Sequence, residues 1–200
     1  PTGVNGCLGN TFTVDVNVNP AAQITAGPDI DICSNLTAVT LQGAVTFAPA
    51  GVSWTGGPGS YAPGNNVANP LYTHTANPPL DAVITQNLTL TALDPDGAGP
   101  CLAVSDVMVL RVNGLPNIDF SGLPLSSAEN RQAIPLTGTK NSGLFTISAG
   151  SAIGSTYINP SGFDEVIFDP SIAVVNQFDT ITYTWVDPVT TCVGTKIRRV

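Results

Sequence analysis

The strongest constraint in this 200-residue sequence is that it repeats itself. Val39-Thr40-Leu41-Gln42-Gly43 returns 95 residues later as Ile134-Pro135-Leu136-Thr137-Gly138. The run Leu88–Pro95, LTLTALDP, returns 93 residues later as Ile181–Pro188, ITYTWVDP. A cysteine follows each copy of that run, Cys101 seven residues after Asp94 and Cys192 five after Asp187, and Cys7 precedes Cys101 by 94. Self-similarity at a near-constant period marks a chain assembled from copies of one folding unit. A unit of about 90 residues can bury a core of its own. The expected organisation is the last strand of a preceding repeat plus a linker at 1–20, a first full repeat at 21–114 and a second at 115–200.

Within each unit the apolar residues recur at every second position, the period of a strand with one buried face. Phe12, Val14, Val16 and Val18 alternate with Thr11, Thr13, Asp15 and Asn17; Leu88, Leu90 and Ala92 alternate with threonines; Ile181, Tyr183 and Trp185 do the same. Turn clusters such as Gly56-Gly57-Pro58-Gly59 and Pro63-Gly64-Asn65-Asn66 separate the runs. With 20 Gly and 17 Pro, almost every window of helical length contains a breaker. A helical bundle, a coiled coil and a doubly wound α/β enzyme are excluded. About seven short strands in about 90 residues is the arithmetic of an immunoglobulin-like sandwich. The fold class is therefore all-β, as tandem immunoglobulin-like β-sandwich domains. The connecting Asn113-Gly114-Leu115-Pro116 is too short and proline-stiffened to be floppy, so the repeats should form a semi-rigid rod.

Only 10% of the residues are charged, and their formal sum is −8. A negative surface repels phosphate backbones and anionic lipid, so neither nucleic acid nor membrane is an expected partner. No apolar run reaches the roughly 18 residues of a membrane helix. The opening Pro-Thr-Gly-Val-Asn lacks the basic-then-apolar pattern of a secretory leader, and the sequence reads as an interior piece of something longer.

The motifs together carry a family resemblance. Ala26-Gly27-Pro28-Asp29 leading to Ile32-Cys33, then VTLQG, then Val52-Ser53-Trp54-Thr55-Gly56-Gly57, then LTALDPDGAGPC, resembles the immunoglobulin-like and PKD-like repeats of very large Bacteroidota-type surface proteins, gliding-motility adhesins included. The second copy resembles a sister version, through Leu115-Pro116, Phe120-Ser121-Gly122, Phe168-Asp169-Pro170 and Ile181-Thr182-Tyr183-Thr184. The resemblance implies an extracellular, cell-surface adhesin or filament exported by a type IX route. It implies a non-enzymatic stalk whose partners are neighbouring repeats, filament subunits and surface glycans. A carbohydrate-binding module of a secreted multidomain protein is the alternative.

Four cysteines in a β-rich chain of this kind point to disulfides, because no CxxC pair exists and a single histidine cannot complete a zinc site. Repeat logic leaves Cys33–Cys101 as the only complete pair, with Cys7 belonging to an upstream repeat and Cys192 lacking its counterpart near Ser127 or Ala128; free buried thiols are the alternative. Such a bridge would tie the first repeat's opening segment to its closing strand and leave the second repeat unbridged.

The remaining candidates are weighed between scaffold and chemistry. Asp94 and Asp96, in Asp-Pro-Asp-Gly, are the candidate calcium ligands; two carboxylates supply a minority of the six to eight oxygens calcium takes, and Asp-Gly also makes a turn. No other cofactor is expected. Asp179-Thr180-Ile181 resembles a short bacterial O-glycosylation motif, which makes Thr180 the acceptor. His74 reads as a strand-surface residue, with no G-x-S-x-G serine for a triad. Trp54 and Trp185 read as core, whereas Tyr61 and Tyr157 read as exposed turn aromatics that could stack on sugar.

Overall fold

Leu88, Leu90 and Ala92 point inward and are wholly buried, while Thr85 and Asn87 on the same strand face water. That alternation organises the whole computed structural model, which describes residues 12–15, 20–94, 101–124, 132–147, 157–158, 164–172 and 178–200. In chain order the strands are β1 (Gln23–Thr25), β2 (Ile30–Cys33), β3 (Ala38–Thr40), β4 (Ala44–Thr46), β5 (Val52–Thr55), β6 (Ser60–Ala62), β7 (Leu71–Thr73), β8 (Val83–Ala92) and β9 (Val104–Asn113). Then follow β10 (Phe120–Ser121), β11 (Ile134–Gly138), β12 (Leu144–Ile147), β13 (Tyr157–Ile158), β14 (Asp164–Phe168), β15 (Thr180–Val186) and β16 (Val193–Arg199). The fold is all-β, built of immunoglobulin-like sandwiches.

The first set forms a four-stranded sheet, β2-β9-β8-β5, over a three-stranded one, β3-β7-β6, with β1 and β4 paired at the side. The second set forms β10-β11-β14-β13 over β12-β15-β16. Each pair of sheets closes over its own hydrophobic cluster. Trp54, Tyr72, Leu41, Leu88, Leu90, Met108 and Leu110 fill the first; Phe120, Leu136, Phe145, Val166, Phe168, Ile181 and Tyr183 fill the second.

The registers show how one plan accepts two sets of side chains. Trp54 lies opposite Leu90 in the first sandwich, and Phe145 opposite Tyr183 at the matching place in the second. The first sandwich fills this layer with one ring and an aliphatic partner, the second with two rings. Phe47 and Ser142, 95 residues apart, both adopt left-handed backbone, with φ of 56° and 63°. Gly138 leaves room for the larger ring, because a β-carbon there would strike Tyr183.

Of the alternating segment expected to form an opening strand, residues 12–15 are described. They belong to no strand among the described residues, and Phe12 and Val14 are exposed. Val16 and Val18 lie outside the described residues. Among the described residues, no helix is long and apolar enough to cross a membrane.

Candidate functional site: the junction between the sandwiches

The junction is set by the direction of β2. Rather than forming a hairpin, β2 lies parallel to β9, with Ile30 beside Leu110 and Cys33 beside Asn113. Its end therefore arrives where β9 runs out toward the second sandwich. Arg111 holds this pairing from the solvent side, reaching Asp29 at 3.1 Å and Asp31 at 3.5 Å. Asn113 holds it from within: its side-chain amide donates to the Ile32 carbonyl at 3.2 Å, and its own carbonyl accepts from Ser34 N–H at 2.8 Å.

Across the junction lies the turn between β15 and β16. The Asp187 carboxylate accepts from Val189 N–H at 2.8 Å, which holds the acid below its ordinary range. Thr191 N–H donates to the Asp187 carbonyl, and Asp187 N–H donates to the Cys192 carbonyl at 2.9 Å. This ring of bonds tucks Cys192 completely out of water. Cys33 and Cys192 form a disulfide, with Cα atoms 5.5 Å apart and a sequence separation of 159.

The connecting chain is fastened as well. Gly114 N–H donates to Ala82 O at 2.7 Å, Asp81 N–H to Leu115 O at 3.1 Å, and Asn117 N–H to the Asp81 carboxylate at 3.0 Å. Gly114 is required by that approach, since a β-carbon would collide with the carbonyl of Pro79. Pro116 and Ile118 then pack over Gly194 on β16.

The bridge corrects the expected Cys33–Cys101 pairing. Cys33 sits opposite the last residue of β9, whereas Cys101 precedes its first. A strand of 10 residues rising about 3.3 Å each separates the two positions by about 30 Å. Disulfides close Cα gaps of under about 7 Å. Cys192 is accordingly a bonded cysteine, and the bond crosses between sandwiches instead of closing one. Cys7 lies outside the described residues.

The other candidates fall in separate places. Asp94 stands just beyond β8, and Asp96 lies outside the described residues; among the described residues no group of three or more acidic, histidine or cysteine side chains gathers as a metal site. Thr180 opens β15, half-buried, opposite Arg199. His74 is not on the surface: it is 7% exposed, with Nε2–H donating to Leu36 O at 2.7 Å and its backbone N–H to Thr37 O. Tyr61 is likewise not an exposed turn residue. It lies on β6, its ring tilted against that of Tyr72 with centroids 4.9 Å apart and its hydroxyl donating to Gly56 O; burial and the neighbouring Tyr72 push its pKa up to about 12. Trp54 is 1% exposed, donating to Ala68 O at 3.0 Å. Trp185 departs from the core expectation, being only half-buried beside Lys140. The side chain of Tyr157 lies outside the described residues.

No protein-family model matches the chain, and no curated protein does. Solved structures that align with it include a cis-dimer structure of domains 3–6 of protocadherin gamma B7, at 11% identity over 86% of this chain and 44% of that one, TM-score 0.34. Domains 3–6 of protocadherin gamma B2 align at 10% identity over 88% of this chain and 44% of that one, TM-score 0.30. The extracellular domain of protocadherin gamma B4 aligns at 10% identity over 82% of this chain and 28% of that one, TM-score 0.33. The chain thus spans less than half the length of these structures.

Proposed function

We propose that this chain is a load-bearing segment of an extracellular structural or adhesive protein, in which two immunoglobulin-like repeats, 21–114 and 115–200, act as one stiff unit. The observation that carries the reading is the Cys33–Cys192 bond, which makes the repeat-to-repeat joint covalent twice over, once through the backbone and once through sulfur. The hydrogen-bonded linker supports the same reading. A disulfide of this kind persists in oxidising surroundings and not in a reducing cytosol. The finer reading is a repeat of a large bacterial surface adhesin of the gliding-motility kind, non-enzymatic, meeting neighbouring repeats end to end; the motif order described above supports it.

Backbone relaxation by NMR tests the stiffness. The two repeats are expected to tumble with one rotational correlation time while the bond is intact. Independent tumbling of the oxidised protein would overturn the reading. Location is tested on intact producing cells with a membrane-impermeant amine reagent: labelling before lysis is expected, and labelling only after lysis would refute it.

A further inference from the structure

The two sandwiches match in their core layers and differ sharply at one spot. Where the first has Ala44-Val45-Thr46-Phe47, whose first three residues form β4, the second has Thr139-Lys140-Asn141-Ser142, which forms no strand. Where β8 ends in the buried Ala92, β15 carries the half-buried Trp185. These two departures meet. Thr139, Lys140, Asn141, Ser142, Trp185 and Pro188 line an open groove of about 490 Å³. That volume falls within the roughly 300–1,000 Å³ of small-ligand sites.

The groove is built rather than incidental. The Trp185 indole N–H donates to Asn141 O at 2.7 Å, which fixes the orientation of the ring, and the ring's inner part packs on the second core. Any ligand that stacks on the indole displaces the ammonium of Lys140, which lies over the ring at 5.2 Å from the centroid. Its flexible stem lets it move to the ring edge, where it can donate to a ligand's hydroxyls. Asn141 and Ser142 are exposed and add amide and hydroxyl groups along the same wall. Among the described residues Lys140 is the one charged side chain lining the groove, and its charge helps, as the smallest of several causes, to hold the neighbouring Asp187 below its ordinary range.

An anchored aromatic face and a rim of donors and acceptors with a single charge among them suit a ligand with one apolar face and a hydroxylated edge. We propose that this groove binds a neutral pyranose ring of a glycan chain, stacked on Trp185 and hydrogen-bonded by Lys140, Asn141 and Ser142. The site belongs to the second sandwich alone, since Ala92 and Val45 stand at the matching positions of the first.

The test is an NMR titration of the oxidised protein with cellobiose, chitobiose, maltose and lactose in turn, following the Trp185 indole N–H and the amides of residues 139–142. At least one sugar is expected to give saturable shifts in the millimolar range, confined to that wall. Trp185→Ala, a change that the first repeat already carries at its equivalent position, is expected to abolish the amide shifts while the signals of the first repeat stay in place. Absence of saturable shifts with all four sugars, or shifts undiminished in W185A, would overturn the proposal. Neither result bears on the stiffness of the joint.

Discussion

Pull the molecule by residues 20 and 200, and the Cys33–Cys192 bond decides how far it can lengthen. Tension enters through β1 and β2, crosses the sulfur bridge and leaves along β16, so everything between the two cysteines is bypassed. With the bridge intact, the loaded stretches from Pro20 to Cys33 and from Cys192 to Val200 yield about 70 Å in total at roughly 3.4 Å per extended residue. The chain between the two cysteines, a sequence separation of 159, would release a further length of about 540 Å once the bridge opens. Single-molecule force spectroscopy should therefore show one short extension in oxidising buffer. With dithiothreitol, or in Cys192→Ser, two additional unfolding steps should appear whose combined contour gain approaches that length. The expected Cys33–Cys101 bridge would instead have shielded the first repeat alone and left the second to yield first. Two full-length unfolding steps before reduction, unchanged by dithiothreitol, would refute the bypass.

Trp54→Ala empties the centre of the first core, where the indole is 1% exposed and bonded to Ala68 O, and should cost about 3–5 kcal/mol in chemical denaturation. Gly138→Ala forces a methyl against the Tyr183 ring and should destabilise the second repeat by about 1–3 kcal/mol, read as a lowered denaturation midpoint for that repeat only. Acid should weaken the fold through carboxylates held below their ordinary value of 3.8. For Asp106 the cause is first the backbone N–H of Ala26; for Asp187 it is first that of Val189. A depressed folded-state pKa gives stability that is present above the unfolded value and is lost as pH falls through the folded one. Thermal melts should therefore drop as pH is lowered from 5 toward 2 (roughly the carboxylate window). Asp106→Asn should flatten that slope, and an unchanged slope would show that Asp106 contributes nothing.

The repeat was legible because it is written in the strands that cannot vary freely. LTLTALDP and ITYTWVDP begin on β8 and β15, the inner strands of their sheets, where alternate residues are locked in the core. The glycine ending VTLQG and IPLTG stands in both copies beneath a large neighbour, Trp54 and Leu90 for Gly43 and Tyr183 for Gly138. The cross-link was not legible in the same way. Matching cysteines between copies says which positions correspond, but not which end of the sandwich each strand end faces. That depends on β2 lying parallel to β9, a choice made by contacts some 80 residues apart, such as Asp29 and Asp31 on Arg111. His74 and Trp185 were misplaced for a related reason. Each lies just beyond or at the end of a regular strand, where the two-residue period no longer tells inside from outside.

A bridge between cysteines at a sequence separation of 159 also imposes an order on biogenesis. Cys33 is made long before Cys192, and at a synthesis rate of about 5–20 residues per second the interval is roughly 8–30 s. Throughout that wait its thiol has to stay unspent while Cys101 emerges. Docking of β2 on β9, the strand that follows Cys101, separates the two thiols by geometry, because it carries Cys33 to the opposite end of the strand from Cys101. The first sandwich thus works as a jig that presents one thiol to a partner made later, and the bond can close only once the turn between β15 and β16 has brought Cys192 to the same junction.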